Sequence, residues 1–472
     1  MPQPAPRRSR TLIDWSTGLW RSRRAAHPPA PRRARSSASR TAMAGVLAAT
    51  GLAHPAMATW SIVMADAATR EVSVGTVTCL NNFDLLRIVP VVVVGEGAGA
   101  CQAAGDFNGI RRPVMFNGLR QDRTPASILV SLAGIGGHAS RQYGIVDTEG
   151  EAITFTGTAT SEWTGGITGS VGTLHYAIQG NILAGPCVVP AIEAAIVETD
   201  GDMADRMMAG MLAARMAGGD GRCSCAGSPP TACGCPPPAF DKSGHIGGMI
   251  VARVGDADDP ACTSGGCADG DYFMRLNVAF QPGSADDPVD QLTEAFDAWR
   301  LERADRIDAL VTLVEATPEM VASAQGAGAI RIVPRTASGA VPATPARSIA
   351  VTHAADSAGI ALIGSPQPLP DGTWLVPLTG GATDATGTDR FRIVLDDGIA
   401  QYERMPQPVV THLARGDVDG DGEIGFPDLL GVLSAWGGCG PPLESCTADL
   451  DGDGDVDFVD LTTMLTFLGD TP

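Results

Sequence analysis

Apolar and polar positions alternate at the front of the folded region. Thr59-Trp60-Ser61-Ile62-Val63-Met64-Ala65-Asp66 reads as a strand with two different faces. A turn through Thr69-Arg70-Glu71 leads to a second strand, Val72 to Val77. Arg141 to Gly150 and Ile153 to Gly157 form another hairpin, with an acidic-glycine turn. Gly180 to Gly185 lead into an apolar helix through Ile192 and Val197. The period then lengthens, and 202–217 and 285–304 read as further helices. On the last, Val289, Leu292, Phe296 and Trp299 fall on one stripe, which is expected to be core.

From about 306 to 412 the pattern changes to short strands in Thr, Val and Pro-rich sequence. Ala329 to Pro334 and Gly372 to Leu378 are examples. Turn signals such as Pro370-Asp371-Gly372 and Asp396-Asp397-Gly398 separate them. This is the pattern of a β-sandwich of immunoglobulin type, and nothing catalytic shows in it. A spacer is expected. The last 60 residues return to helices, 427–436 and 460–468, each following an acidic loop.

The chain before Thr59 is different in kind. Residues 1–41 carry ten arginines and one acid, and such a composition builds no core. Ala42 to Ala53 is apolar, of the length of a secretory signal and too short to span a bilayer. Ala56-Met57-Ala58 is a cleavage signal of the A-x-A type. No later segment is long and apolar enough to cross a membrane. Export is therefore expected, to the cell surface or beyond, with domains at 1–58 (leader and signal), 59–305, 306–412 and 413–472.

Cleavage after Ala58 leaves 23 basic against 52 acidic side chains, a net charge near −29. Nucleic-acid and anionic-membrane partners are excluded on that balance. Eleven cysteines in an exported chain point to disulfides.

The strongest chemical signal is a repeat. Asp417, Asp419, Asp421, Glu423 and Asp428 stand at positions 1, 3, 5, 7 and 12 of one loop, and Asp449, Asp451, Asp453, Asp455 and Asp460 of another. Gly422 and Gly454 take position 6. That is the spacing of a twelve-residue calcium loop, in which the glycine lets the chain bend and position 7 contributes its carbonyl. Two Ca2+ sites are expected. A calcium loop followed by one helix, repeated, with Asp in place of Glu at position 12, resembles a dockerin of type I over about 416–469. The resemblance implies a small all-α attachment module with a cohesin-like scaffold as partner. Phe426-Pro427 and Phe458-Val459 depart from the small polar residues usual before position 12. Cys439 and Cys446 bracket the turn between repeats and are expected to pair.

Residues 59–300 resemble the uncharacterised bacterial family catalogued as domain of unknown function 1028, grouped with the N-terminal-nucleophile (Ntn) hydrolases. The matching stretches are Thr59 to Val63, Gly144 to Asp147, Phe155 to Gly157, Gln179 to Gly185, Gly218 to Arg222 and Asp287 to Val289. The resemblance implies an α+β class and a four-layer αββα Ntn-hydrolase-like fold. Enzymes of that kind use the side chain of residue one as nucleophile and its α-amine as base. The amine, with an unperturbed pKa near 8, is partly neutral at neutral pH. Cleavage after Ala58 makes Thr59 that residue, although some residue must follow every signal. Lys242, the one lysine of the mature chain, is the only candidate for an assisting lysine.

Two further candidates accompany Thr59. Asn181 either donates to an oxyanion or caps a helix. Asp220, with Arg222, either orients a substrate or pairs structurally. His138, His175 and His245 show no ligand spacing, and the glycines at 95, 97 and 99 lack the context of a dinucleotide site. Cys223, Cys225, Cys233 and Cys235 sit in a Pro/Gly-rich insertion, where disulfides among the four are expected over zinc. Cys262 and Cys267 bracket a small loop. Nine cysteines between 79 and 267 leave at least one unpaired there. The reading is a secreted amide hydrolase with a calcium-dependent anchor; its alternative is a non-catalytic envelope protein on the same scaffold.

Overall fold

A computed structural model describes residues 59–468, apart from 226–230, 232, 322–325, 382–384 and 442. The expected leader and signal lie outside the described residues. The described residues are mixed α and β, with several sheets and eight α-helices among them.

The order begins β1 (Thr59–Asp66), β2 (Val72–Thr78), β3 (Pro90–Val93), β4 (Gly97–Ala103), α1 (Arg112–Leu119) and α2 (Pro125–Ala133). It continues β5 (Arg141–Asp147), β6 (Ala152–Thr156), β7 (Thr164–Val171), β8 (Leu174–Asn181), α3 (Val188–Glu198), α4 (Met203–Met216) and the short α5 (Gly221–Ser224). β9 (Ile246–Ala252), β10 (Met274–Val278) and α6 (Pro288–Arg303) close this part. Both expected hairpins and the three expected helices are present. Sequence reading placed nothing at β3, β4, α1 or α2; in β4, GAGACQA, small residues blur any period.

Six strands form one antiparallel sheet in the order β10-β9-β2-β1-β8-β7, and four form another, β3-β4-β5-β6. The pleat sends alternate side chains to opposite faces. From β1, Trp60, Ile62 and Met64 enter a core shared with α3, α4 and α6. Val63 and Ala65 enter a second core with Val92, Ala98, Ala100 and Val146 of the other sheet. On the far side of that sheet, Cys101, Tyr143 and Ile145 pack against α1 and α2. Each sheet thus has one face toward helices and one toward the other sheet. Val289, Leu292 and Phe296 are buried as expected, with Trp299 packed against them.

Residues beyond α6 build β11 (Leu313–Ala316), β12 (Glu319–Val321), β13 (Ala327–Val333), β14 (Ser348–His353), β15 (Leu362–Ile363), β16 (Gln367–Pro368), β17 (Trp374–Thr379), β18 (Gly387–Asp396), β19 (Gln401–Glu403) and β20 (Val409–Leu413). They make two five-stranded sheets around one core of Ile330, Ile332, Val376, Phe391, Ile393 and their neighbours. α7 (Phe426–Ser434), β21 (Gly437–Gly438), β22 (Asp455–Val456) and α8 (Phe458–Phe467) finish the chain around Ile424, Val432, Leu450, Val456 and Met464. Among the described residues no helix is long and apolar enough to cross a membrane.

Five disulfides are present. Cys439–Cys446 and Cys262–Cys267 are as expected. The insertion is a correction in part. Only Cys225–Cys233 closes within it, while Cys223 pairs with Cys79 and Cys235 with Cys187. Local spacing could not show this, because the partners arrive from β2 and the start of α3. Cys101 is the free thiol and is buried.

Arg253, at the end of β9, joins the larger parts. Its Nε donates to Glu71 Oε1 at 2.6 Å and its Nη1 to Asp308 Oδ1 at 3.0 Å, and its guanidinium lies 3.5 Å from the centroid of Phe273. Asp202 stands 3.9 Å away. The carboxylates hold Arg253 firmly cationic, while burial pushes Glu71 up to about 7 against the pull of that charge. Glu71, sharing one cation with two other carboxylates, is the group that ionises incompletely.

Two outcomes follow from this junction. Arg253→Met leaves Glu71 and Asp308 buried without their cation and is expected to cost about 3–5 kcal/mol. The second concerns pH. Folded Glu71 holds its proton more tightly than unfolded Glu71. The stability from that proton is complete below the ordinary value of 4.5 and lost as pH rises through about 7. Glu71→Gln removes the dependence. Denaturant midpoints at pH 5 and pH 8 are therefore expected to show the variant gaining on the wild type at pH 8; a variant that loses ground as pH rises contradicts the assignment.

Candidate active site and candidate calcium loops

Thr59 opens β1, and register decides its surroundings. Thr59 pairs with Asn181 of β8, and Ser61 with Gln179 and with Thr76 of β2. One more step of the β1–β2 register sets Thr78 opposite Thr59. The side chains on this face fall into rows. Thr78, Thr59 and Asn181 form the outermost, Thr76, Ser61 and Gln179 the next, and Val74, Val63 and Ala177 the third. The third row belongs to the apolar core between the sheets. The layer is therefore polar at the Thr59 end and apolar beyond it.

The facing sheet matches this gradient. Gln102 of β4 and Gln142 of β5 are register partners. Gln102 Nε2 donates to the Thr59 carbonyl and to Gln142 Oε1, both at 2.8 Å. Ser61 Oγ donates to Gln102 Oε1 at 2.5 Å and to Thr76 Oγ1 at 3.0 Å. Asn181 Nδ2 lies 3.4 Å from the Thr59 carbonyl and 3.3 Å from Gln142 Oε1. Gln142 Nε2 continues to the Gly180 carbonyl at 2.8 Å. Thr59, Ser61, Gln102, Gln142, Gln179 and Asn181 are all fully buried. Within this network Thr59 Oγ1, Asn181 Oδ1 and both polar atoms of Gln179 have no hydrogen-bond partner. An unpaired polar group in such a place costs about 1–3 kcal/mol, so these atoms are spare capacity in the fold.

Of the sequence candidates, Thr59 and Asn181 are cross-strand neighbours. Asn181 ends β8, whereas α3 begins at Val188, so the residue is not a helix cap. Asp220 is fully buried and caps α5, accepting from the Arg222 backbone at 3.0 Å. Its carboxylate takes Arg222 Nε at 3.1 Å and Nη2 at 2.8 Å, and the Cys79 backbone amide at 2.7 Å. Burial pushes the Asp220 carboxyl up, and Arg222 pulls it back. Arg222 Nη2 also reaches Thr78 Oγ1 at 3.3 Å, in the outermost row beside Thr59. Asp220 thus meets the Thr59 row through Arg222. Lys242 Nζ donates to the carbonyls of Gly283, at 2.9 Å, and Ala285. Sequence reading missed Ser61, Gln102 and Gln142. The available signal was polar residues at inward positions of strands that otherwise turn apolar side chains inward.

The acidic loops are built alike. In the first, carboxylate oxygens of Asp417, Asp419 and Asp421 lie within 4.8 Å of one another; in the second, those of Asp449, Asp451 and Asp460 do. Gly422 and Gly454, at φ +85° and +94°, make the bend that position 6 requires. The position-12 carboxylates are buried and hold the loops from inside. Asp428 accepts from Val418 N at 2.7 Å and Gly425 N at 2.7 Å; Asp460 accepts from Leu450 N at 2.6 Å and Asp457 N at 2.7 Å. Asp421 Oδ1 and Asp453 Oδ1 accept from the amides of Glu423 and Asp455 at 2.8 and 2.9 Å. Partial burial pushes Asp417 and Asp449 up, with neighbouring carboxylates adding to it. All-oxygen donors crowded at this spacing fit a hard divalent cation.

Comparison with known proteins covers the N-terminal part best. A family model described as "Family of unknown function (DUF1028)" matches residues 59–227. Among solved structures, the chain is similar to the crystal structure of a DUF1028 protein from Silicibacter pomeroyi, at 20% identity and a TM-score of 0.38, over 52% of this chain and 86% of that one. It is also similar to an adhesin of Escherichia coli, at 9% identity and a TM-score of 0.19, over 75% of this chain and 63% of that one. No curated protein matches. The match is confined to residues 59–227, and its description leaves the function of that family open.

Proposed function

We propose that this is an exported N-terminal-nucleophile hydrolase acting on an amide bond, with Thr59 as nucleophile, tethered by a calcium-dependent dockerin-like module. The observation that carries the reading is the placement of Thr59. It heads a strand at the polar end of the layer between two sheets, its hydroxyl unpartnered and its carbonyl held by Gln102 and Asn181. Helices on the outer face of each sheet support the four-layer αββα expectation.

In this reading, cleavage after Ala58 creates the catalytic base. The freed α-amine takes the proton from Thr59 Oγ1, and the oxygen attacks the substrate carbonyl. The amine of the new leaving group takes the proton, and water then releases the acyl group from Thr59. Asn181 contributes an amide donor at the nucleophile. Asp220 acts at one remove, by fixing Arg222 beside Thr78.

The two sheets of 306–412 around one core support an immunoglobulin-type spacer. In the C-terminal repeat, Asp417, Asp419, Asp421 and Asp428 would hold one Ca2+ with the Glu423 carbonyl, and Asp449, Asp451, Asp453 and Asp460 the other with that of Asp455. A cohesin-like protein is the proposed partner. Five disulfides are compatible with export.

The mature N-terminus tests the mechanism. N-terminal sequencing of exported protein is expected to give Thr59, and any other end removes the proposed base. Screened on a panel of chromogenic amides, processed protein is expected to be active and Thr59→Ala inactive, with Thr59→Ser retaining part of the rate. Equal rates for Thr59→Ala and wild type favour the non-catalytic reading.

Calcium is tested separately. Titration calorimetry on the full mature chain is expected to give two sites, and Asp417→Ala or Asp449→Ala one each. At a free concentration 100 times Kd, each site adds about 2.7 kcal/mol to the stability of the repeat. A thermal midpoint that chelator leaves unmoved refutes the assignment.

A further inference from the structure

Behind the Gln102–Gln142 pair, on the helix side of the four-stranded sheet, the charge does not balance. Arg111 and Arg112, on the approach to α1, have side chains 2% and 0% exposed, and Arg141 opens β5 beside them. Asp106 is the one carboxylate that ion-pairs with them among the described residues, and its contacts are loose: 3.7 Å to Arg111 Nη1 and 3.5 Å to Arg112 Nε. Asp106 Oδ2 is also taken by the backbone amides of Arg111 and Arg112, at 3.0 Å each. The remaining partners of the guanidiniums are carbonyls, of Arg87, Gly105, Asp106, Gly136 and Ser264. Cys101, buried among these groups, supplies no charge, because burial pushes its thiol up to about 12.

Hydrogen-bond capacity is unbalanced in the same direction. The Nε atoms of Arg111, Arg112 and Arg141 and the hydroxyl of Tyr143 are all buried without a partner. Tyr143 is fully buried and stacks with His138, 5.6 Å between centroids. Asp106 Oδ1 is the one orphan acceptor named among them, against three guanidinium donors and a hydroxyl that can serve either way. Two buried guanidiniums and the half-buried Arg141 stand against one carboxylate, so positive charge and donors are both in excess. Buried charge is stable only when paired, and among the described residues no carboxylate besides Asp106 ion-pairs with these guanidiniums.

We propose that Arg111, Arg112, Arg141 and Tyr143 form a binding site for a small oxyanion, a phosphate, sulfate or carboxylate group. Guanidinium donors in a water-poor setting suit planar or tetrahedral oxygens. The exposed Gly136-Gly137 turn passes over Arg111 and gives the approach. The site is independent of Thr59 as nucleophile. It lies on the opposite face of the same strands, since Arg141 adjoins Gln142 and Cys101 adjoins Gln102.

The test uses the mature chain, residues 59–472. Phosphate, sulfate and acetate are titrated at constant ionic strength with chloride as the balancing ion, and the thermal midpoint is followed. At least one is expected to give a saturable rise. Phosphate or sulfate alone indicates a free inorganic ion; acetate, and more strongly a short peptide with a free C-terminal carboxylate, indicates an organic ligand. Arg141→Gln is the informative variant, because Arg141 is only half-buried and its removal relieves repulsion with Arg111. Without oxyanion it is expected to be at least as stable as wild type, and its apparent Kd about tenfold weaker. Tyr143→Phe keeps the packing and is expected to weaken binding less. No oxyanion-specific rise in wild type, or an Arg141→Gln variant that keeps the full rise, overturns the proposal.

Discussion

A strand can send its side chains only alternately to its two faces, and β1 uses both faces for different purposes. Trp60, Ile62 and Met64 anchor it under the helices. Thr59, Ser61, Val63 and Ala65 look the other way, into the layer between the sheets. A slip of one residue would put Trp60 among glutamines and Thr59 under the helices, so the register is fixed by the burial of three large side chains. That burial lets the fold carry an unpaired hydroxyl at Thr59, because each large apolar side chain contributes about 1.5–3 kcal/mol against a cost of similar size for one orphan polar group. The polar row exists because the apolar rows hold it.

How much of this the sequence discloses depends on distance along the chain. Alternation over eight residues and a helical stripe over sixteen are local, and β1, β2, α4 and α6 were legible from them. The acidic loops are local too, since Asp417 to Asp428 contains its own geometry. Gln102, Gln142 and Gln179 were not legible as neighbours of Thr59: they come from three strands in two sheets, and only the register aligns them. The cysteines make the same point. Cys225–Cys233 and Cys262–Cys267 close short loops, whereas Cys79–Cys223 spans 144 residues and follows from the meeting of β2 with α5.

That long disulfide has a consequence for the candidate site. α5 is four residues long and too short to be stable by itself. Asp220 caps its start, and Cys223 ties its middle to Cys79, the residue after Thr78. Arg222 lies between these two fixtures. Its guanidinium is therefore held at the outermost row by a covalent bond on one side and an ion pair on the other. The end of the chain is held differently. Arg415 donates to the Leu450 carbonyl, and Ser445 Oγ accepts from the Glu319 amide at 3.2 Å, so the acidic repeat leans on the sheets before it through few bonds.

Charge is unevenly paired at two places in the molecule, with opposite signs. The loops at 417–428 and 449–460 gather carboxylates and few cations, and the surroundings of Asp106 gather guanidiniums and one carboxylate. Arg253 shows what a satisfied buried charge looks like here: two short bonds to carboxylates, an aromatic face and a guanidinium held firmly ionised. Neither place meets that standard with protein groups alone. Repulsion among like charges at such separations is strong in a low-dielectric setting and weak in water. Exposed loops tolerate the imbalance, because water screens it. A buried cluster has no such latitude. Its fold has to form around the imbalance, which falls on one face of β4 and β5, and on the other face of the same strands Gln102 carries the bond to the Thr59 carbonyl.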